Sequence, residues 1–179
     1  MGLRALAVTD AHALTALYRD NRDFLAELEP LRPESFFTFE GQRRHIAQLT
    51  ERRTAGTAYP YLIVLGDKPV GAINLSNVAR GAFQSANVGY WVAEQHNGKG
   101  VATTALALLC RRAFGELALH RLEAGTLLDN RASQRVIEKN GFTRIGVAPN
   151  YLQIAGRWSD HVLFQRTVED PDPGVLPEP

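Results

Sequence analysis

The sequence predicts an α/β (α+β) fold built on one mixed, mostly antiparallel sheet of about seven strands flanked by about four helices. Three observations carry this expectation. β-rich apolar runs at hairpin spacing occupy much of residues 59–92, which predicts an antiparallel meander. A glycine-containing turn, Gln95-His96-Asn97-Gly98-Lys99-Gly100, follows the last run and opens a helix rich in Ala and Leu. Residues 121–128 then return as another strand, as in a βαβ crossover.

Taken in order, residues 3–8 form a short apolar run read as the first strand. Thr9 and Asp10 are N-cap candidates for a helix over 11–18, where Leu14, Leu17 and Tyr18 share a face. The segment 20–39 mixes Asp23, Glu27 and Glu29 with Phe24, Leu25, Leu28, Pro30 and Pro33, and reads as a short helix and a loop. From 39 to 54 charged residues alternate with Ile46 and Leu49, which predicts an exposed helix stopped near Gly56. Strands are expected at 59–65, 70–75 and 87–92, separated by the turn Gly66-Asp67-Lys68-Pro69 and by a connection holding Gly81. After Gly100, Ala102, Ala105, Leu106, Leu109, Cys110, Ala113 and Phe114 form an apolar stripe for packing on a sheet. Arg111 and Arg112 are expected to face away, near the C-terminal end where the dipole favours cations. Cys110 lies in the stripe and reads as core rather than as a reactive thiol. Residues 131–140 form a short helix ended by Gly141, a left-handed position. The last strands are expected at 142–147 and 161–167, with Ile154-Ala155-Gly156-Arg157 as a hairpin tip. Residues 170–179 hold four prolines and almost no core-forming residues, so one domain over 1–169 precedes a disordered tail.

Composition narrows the function. A formal net charge of +1 on 179 residues gives no strong electrostatic drive toward nucleic acid or anionic membrane. Cys110 is the only cysteine, so no internal disulfide forms, and no metal-ligand cluster surrounds it. No charged-then-apolar leader is read and no uninterrupted apolar run reaches ~18 residues. The expectation is a soluble cytoplasmic protein, monomer or homodimer, without metal.

A strand, a glycine loop and a helix N-terminus in that order make an anion site, because glycines allow close backbone approach and first-turn N–H groups have no intrahelical partner. The spacing Gly98-x-Gly100 lacks the third glycine of the dinucleotide fingerprint and the Gly-Lys-Ser/Thr ending of a P-loop. A nucleotide dehydrogenase and an NTPase are therefore disfavoured, and a different phosphate-bearing cofactor is required.

Three segments together resemble the GNAT N-acetyltransferase superfamily. Gln95-His-Asn-Gly98-Lys-Gly100-Val-Ala102 is similar to its pyrophosphate loop, and residues 130–142, beginning Asn130-Arg-Ala-Ser133, to its second acetyl-CoA segment. Residues 151–161, with Trp158 and Asp160, resemble the C-terminal hairpin of the Rim-type branch, which acetylates the N-terminal amine of ribosomal proteins. Asn21-Arg22-x-Phe24-Leu25 resembles that branch's substrate-side helix. The resemblance implies acetyl-CoA as cosubstrate and a splayed strand pair, 89–92 against 121–128, that admits the pantetheine arm near the Trp91 and Val92 backbone. It places the pyrophosphate on Gln95, Asn97, Gly98, Lys99, Gly100, Val101, Ala102 and Thr103, and has Asn130 reach the pantetheine chain. Lys99 either adds charge at a phosphate or is a solvated loop lysine.

The implied reaction is attack by a neutral amine on the thioester carbonyl, with the Val92 backbone N–H as oxyanion donor. Ser133 stands where Rim-type enzymes carry a candidate general acid; helix capping or surface packing is the alternative. Many members carry a tyrosine acid four residues later, where this chain has Ile137. Some Rim-type enzymes carry a glutamate base where this chain has Asn87, which can position water or an amine but cannot take a proton. Glu27, Glu29 and Asp160 are candidate helpers or plain surface carboxylates, and Tyr151 and Trp158 either line the acceptor pocket or pack the hairpin. The acceptor implied is the N-terminal α-amine of a protein or peptide. A small-molecule amine is the alternative acceptor, and an acyl-CoA-binding module without catalysis is the alternative function.

Overall fold

The computed structural model describes residues 1–176. Seven strands, β1 Gly2–Ala5, β2 Tyr59–Leu65, β3 Lys68–Ala79, β4 Ser85–Val92, β5 Arg121–Leu127, β6 Thr143–Ile154 and β7 Arg157–Thr167, form one sheet in the order β1-β2-β3-β4-β5-β7-β6. Every neighbouring pair is antiparallel except β4–β5, which is parallel. The parallel pair is joined by α4 Val101–Arg111, the crossover helix that parallel strands require. The other helices are α1 Ala11–Asp20, the short α2 Arg22–Ala26, α3 Phe39–Thr54 and α5 Arg131–Lys139.

Alternation along the strands builds two cores, one on each face of the sheet. On one face Val88 and Val92 of β4 join Leu122 and Ala124 of β5 beneath α4, whose Ala105, Leu106, Leu109 and Cys110 are buried as the stripe predicts. Each fully buried leucine there contributes about 1.5–3 kcal/mol of transfer free energy. On the other face Leu14 and Tyr18 of α1, Ile46 of α3 and Leu25 pack with Leu62 and, at the rim, Trp91. Successive β4 residues therefore serve opposite sides: Tyr90 and Val92 face α4, Trp91 faces α1. Cys110 is 2% exposed, and burial pushes its thiol up to about 12.

Four local expectations differ from the fold. The first strand ends at Ala5, because the Ala7–Asp10 stretch turns on itself: the Ala7 N–H donates to the Asp10 carboxylate at 2.9 Å. Asp10 also pairs with Arg4 at 2.7 Å, so it does not cap α1 with its side chain. Arg112 does not face away, since its guanidinium donates to the Leu3 carbonyl at 3.2 Å and lies over the Tyr61 ring. The helix changes there to π-helical turns over 112–116, which re-aims this arginine across the β1 end of the sheet. Finally, the last hairpin is far longer than 142–147 and 161–167. Pro149-Asn150 reads as loop, but it falls in an irregularity between Ala148 and Leu152 on the edge strand β6, where a missing N–H is tolerated. The hairpin tip at Ala155-Gly156 is as expected, both residues having positive φ. Residues 170–176 carry no helix or strand, and the remainder of the tail expected to be disordered, 177–179, lies outside the described residues. Among the described residues no helix is long and apolar enough to cross a membrane.

Candidate active site

The parallel pairing of β4 with β5 runs only from Ser85–Arg121 to Val88–Ala124. Beyond it, β4 continues to Val92 paired with β3 alone, and β5 continues to Leu127 paired with β7 alone. The two inner strands thus part, leaving a gap in the middle of the sheet. The Ala93 N–H bonds the Val70 carbonyl on β3, and the Trp91 carbonyl lies 2.3 Å from where a Cβ on Gly71 would stand. Main-chain groups alternate sides along a strand, so Trp91 is turned toward β3 while Tyr90 and Val92 present N–H and C=O to the gap. Of the two residues named for the pantetheine backbone contact, Val92 turns its main chain to the gap and Trp91 turns its own to β3, with Tyr90 facing the gap instead.

At the end of β4 the chain turns through Glu94–His96 and reaches α4 by two left-handed glycines, Gly98 (φ 72°) and Gly100 (φ 78°). Nothing lies within 4 Å of an ideal Cβ at either, so their missing side chains leave open space over the helix N-terminus. Gly100 caps α4 without a side chain, and the Thr104 N–H bonds the Gly100 carbonyl at 3.0 Å. That leaves the N–H groups of Val101, Ala102 and Thr103 without intrahelical acceptors and directed toward the loop. Gln95, Asn97 and Lys99 are exposed around it. A gap lined by strand N–H and C=O groups, ending at a bare helix N-terminus, fits a ligand with an amide-bearing arm and a diphosphate. Acetyl-CoA has that shape.

On the α4 side of the gap, the Ser133 hydroxyl and the Tyr90 hydroxyl are 2.8 Å apart, and the Tyr90 hydroxyl also donates to the Ser133 carbonyl at 3.3 Å. Burial pushes the Tyr90 phenol up to about 12, against the smaller lowering effect of Ser133, so it stays protonated at neutral pH. Capping of α5 falls to Asn130, whose Oδ1 accepts the Ser133 N–H at 3.0 Å, and not to the Ser133 hydroxyl. Asn130 Oδ1 is therefore committed to its own helix, where the sequence suggested a reach to the cofactor. Ile137, in place of the commoner tyrosine, is 1% exposed in the core.

The opposite side of the gap is built by α1, α2 and the loop after them, together with the β6–β7 hairpin. The Trp91 indole N–H donates to the Tyr18 hydroxyl at 3.1 Å, their rings 4.7 Å apart. Asn21 accepts the Glu94 N–H at 2.8 Å, tying the α1–α2 corner to the end of β4. The Ala155 N–H bonds the Glu29 carbonyl at 3.0 Å, so the hairpin tip closes on the loop that carries Glu29. Tyr151 packs against His161 and over Gly125 of β5, while Trp158 is 64% exposed. Asn87 is held through Oδ1 by the Asn77 side chain at 3.1 Å. Asp160 accepts the Asn150 N–H at 2.9 Å, and Glu27 is exposed. The sequence reading does not single out Tyr90 and Tyr18 as site residues, and Asn21 enters it only through the resemblance to a substrate-side helix. The signal for Tyr90 was present: strand alternation puts it on the α5 side with Val88 and Val92.

The acetyltransferase (GNAT) domain family matches residues 1–143. The chain is 40% identical over 164 residues to "Probable N-acetyltransferase YjcK" of Bacillus subtilis (strain 168), covering 90% of this chain and 91% of that protein. It is 34% identical over 167 residues to the "[Ribosomal protein uS5]-alanine N-acetyltransferase" of Escherichia coli (strain K12), covering 92% and 86%. The crystal structure of Mycobacterium smegmatis RimJ in complex with CoA-disulfide superposes with a TM-score of 0.91 at 32% identity, over 94% of this chain and 82% of that one. A splayed parallel pair, a glycine loop at a helix N-terminus and these matches lead to one conclusion: the chain belongs to the GNAT acetyltransferase family and is an acetyl-CoA-dependent N-acetyltransferase.

Proposed function

We propose that the acceptor is the N-terminal α-amine of a protein or peptide, such as a ribosomal protein. The observation that carries this reading is the likeness, over 92% of this chain and 86% of the relative, to an enzyme named [Ribosomal protein uS5]-alanine N-acetyltransferase. Chemistry agrees: an α-amine titrates near ~7.7–8.0 and a lysine amine near ~10.4, so less help is needed to free the former of its proton. Exposed Tyr151, Leu152 and Trp158 beside the cleft provide apolar surface suited to a polypeptide. A cytoplasmic setting fits a single buried cysteine and such a partner.

In this reading Gly98 to Thr103 hold the diphosphate through main-chain N–H groups, and Tyr90 and Val92 line the pantetheine arm. The Val92 N–H meets the oxyanion as the amine attacks the thioester carbonyl. The Ser133 hydroxyl, steadied by Tyr90, hands a proton to the departing thiolate, and the phenol behind it can restore that proton. Asn87, held by Asn77, positions water or the amine on the other side.

The acceptor is tested by following thiol release from acetyl-CoA with three amines: a peptide with a free N-terminal alanine, the same peptide N-terminally blocked but carrying a lysine, and a polyamine. Release with the first alone is the expected result. Release with either of the others alone would assign a different acceptor, and acetyl-CoA binding without release on any amine would favour the non-catalytic module. For Ser133→Ala, kcat is expected to fall about 100-fold, the scale of a positioned proton donor. KM should move by less than about threefold; the reverse pattern would make Ser133 a binding residue.

A further inference from the structure

With asparagine at position 87, no base has been assigned on the acceptor side of the sheet. We infer that the Glu29 carboxylate accepts the proton of the attacking amine, directly or through one water. This rests on the reading of the cleft as an amine site.

The placement comes from three contacts. Glu29 sits on the loop after α2, and its own carbonyl receives the Ala155 N–H of the hairpin tip at 3.0 Å. Leu31, two residues on, lies 2.9 Å from where a Cβ on Gly156 would stand, so loop and hairpin meet closely. Tyr18 is the neighbour on the sheet side, and its hydroxyl holds the Trp91 indole next to Val92. Arg32, 3.6 Å from the carboxylate, lies over the Phe36 ring, and Phe36 meets Tyr18 edge-on at 4.9 Å, which puts the carboxylate on the Tyr18 and Trp91 face, opposite Tyr90 and Ser133. Amine and thioester would reach the gap from opposite sides, each next to the proton-handling group that it needs.

The carboxylate is also unusual chemically. Its side chain is only 19% exposed, and its one cationic partner, Arg32, stands at 3.6 Å, too long for a close charge-assisted bond. Burial raises its pKa above the ordinary carboxylate range, and Arg32 only partly offsets this. Burial first and the Glu29 charge second likewise push the Tyr18 phenol above its usual value. Arg32 lies over the Phe36 ring, with His45 of α3 beyond; burial and then Arg32 lower the His45 pKa. Among the described residues, the charged and titratable groups that these contacts tie to Glu29 are Arg32 and, beyond Phe36, the neutral Tyr18 phenol and His45. A carboxyl raised toward neutrality is a better base than a solvated one.

The protons balance. Glu29 takes one from the ammonium, and the freed nitrogen forms the C–N bond at the thioester carbonyl. The C–S bond breaks with its electron pair going to sulfur. The nitrogen gives up its second proton as the amide forms, the thiolate gains one, and one proton is released overall.

The test compares wild type with Glu29→Gln, using the alanine peptide or whichever amine the wild type acetylates. At pH 7 kcat/KM should fall about 100-fold, with acetyl-CoA affinity by calorimetry unchanged. The deficit should shrink as pH rises and the amine loses its proton unaided. Glu29→Asp should recover part of the rate. Parallel pH profiles, or a loss under about threefold, would overturn the assignment while leaving the acetyltransferase reading intact. If Glu29→Gln fails to fold, Arg32→Met decides. Removing the cation raises the Glu29 pKa, so the ascending limb of kcat/KM set by Glu29 should move to higher pH while the limb of the free amine stays. An unmoved profile refutes the proposal.

Discussion

Gly98→Val is expected to weaken acetyl-CoA binding by at least about 100-fold while the protein stays folded. Gly98 has a φ of 72°, and an added Cβ would meet nothing within 4 Å. No clash inside the chain therefore opposes the substitution, and its internal cost is the left-handed strain of a β-branched residue, about 1–2 kcal/mol. The ligand experiences something different. The side chain would fill the open space through which the backbone approaches the diphosphate, or the loop would rotate its N–H groups away. Losing two hydrogen bonds to a charged group, at about 1.5–3 kcal/mol each, is enough for that change in affinity. Calorimetry on the variant, with thermal melting as the folding control, measures both parts. An unchanged affinity would remove this loop from the cofactor site.

Gly71→Ala should damage stability and catalysis together. Its Cβ would stand 2.3 Å from the Trp91 carbonyl oxygen and 2.9 Å from the Val92 Cα, both of them backbone atoms that cannot swing aside. β3 and β4 must part, at a cost of about 1–3 kcal/mol. In a domain of this size that lowers the melting temperature by roughly 2–4 °C per kcal/mol. The same displacement moves the Val92 N–H, and removal of one oxyanion donor costs about 100- to 1,000-fold in kcat. Acetyl-CoA affinity, which draws on the loop and the helix, should change far less. A lowered melting temperature with an intact kcat would show that Val92 is not the donor.

Much of this architecture was readable from the chain, because its main signals are local. The stripe through Leu106, Leu109 and Cys110 fixed α4, Tyr59–Leu65 matched its strand to the residue, and Ala155-Gly156 marked the hairpin tip. Reading failed where a tertiary partner overrides local preference. Pro149 and Asn150 look like loop residues, yet the ladder to β7 carries the strand past them. Arg112 looks solvent-facing, yet the β1 end of the sheet supplies a carbonyl and an aromatic face. The site shows the same division. Gly98 and Gly100 announce themselves by type and spacing. The pairing of Tyr90 with Ser133 spans 43 positions, and the link from Glu29 through Arg32 and Phe36 to Tyr18 depends on how a proline-bearing loop folds back. Alternation along β4 gives the side on which Tyr90 lies but not its partner, and the Glu29 loop leaves no periodic trace.

The short parallel ladder between β4 and β5 has a mechanical consequence. Four residue pairs, Ser85–Arg121 to Val88–Ala124, are all the strand pairing that joins two blades of the sheet among the described residues, while the Tyr90–Ser133 and Ala155–Glu29 bonds tie the blades elsewhere. One blade is β1 to β4; the other is β5, β7 and β6 with α5, and α4 packs across both. A bound coenzyme arm would bond to the inner rims of both blades at once, acting as a rivet where the sheet has no strand of its own. At the seam Ala86 and Leu122 are 2% and 0% exposed, so the inner strands leave a packed core where they begin to part. The gap is closed at its paired end and open toward the glycine loop.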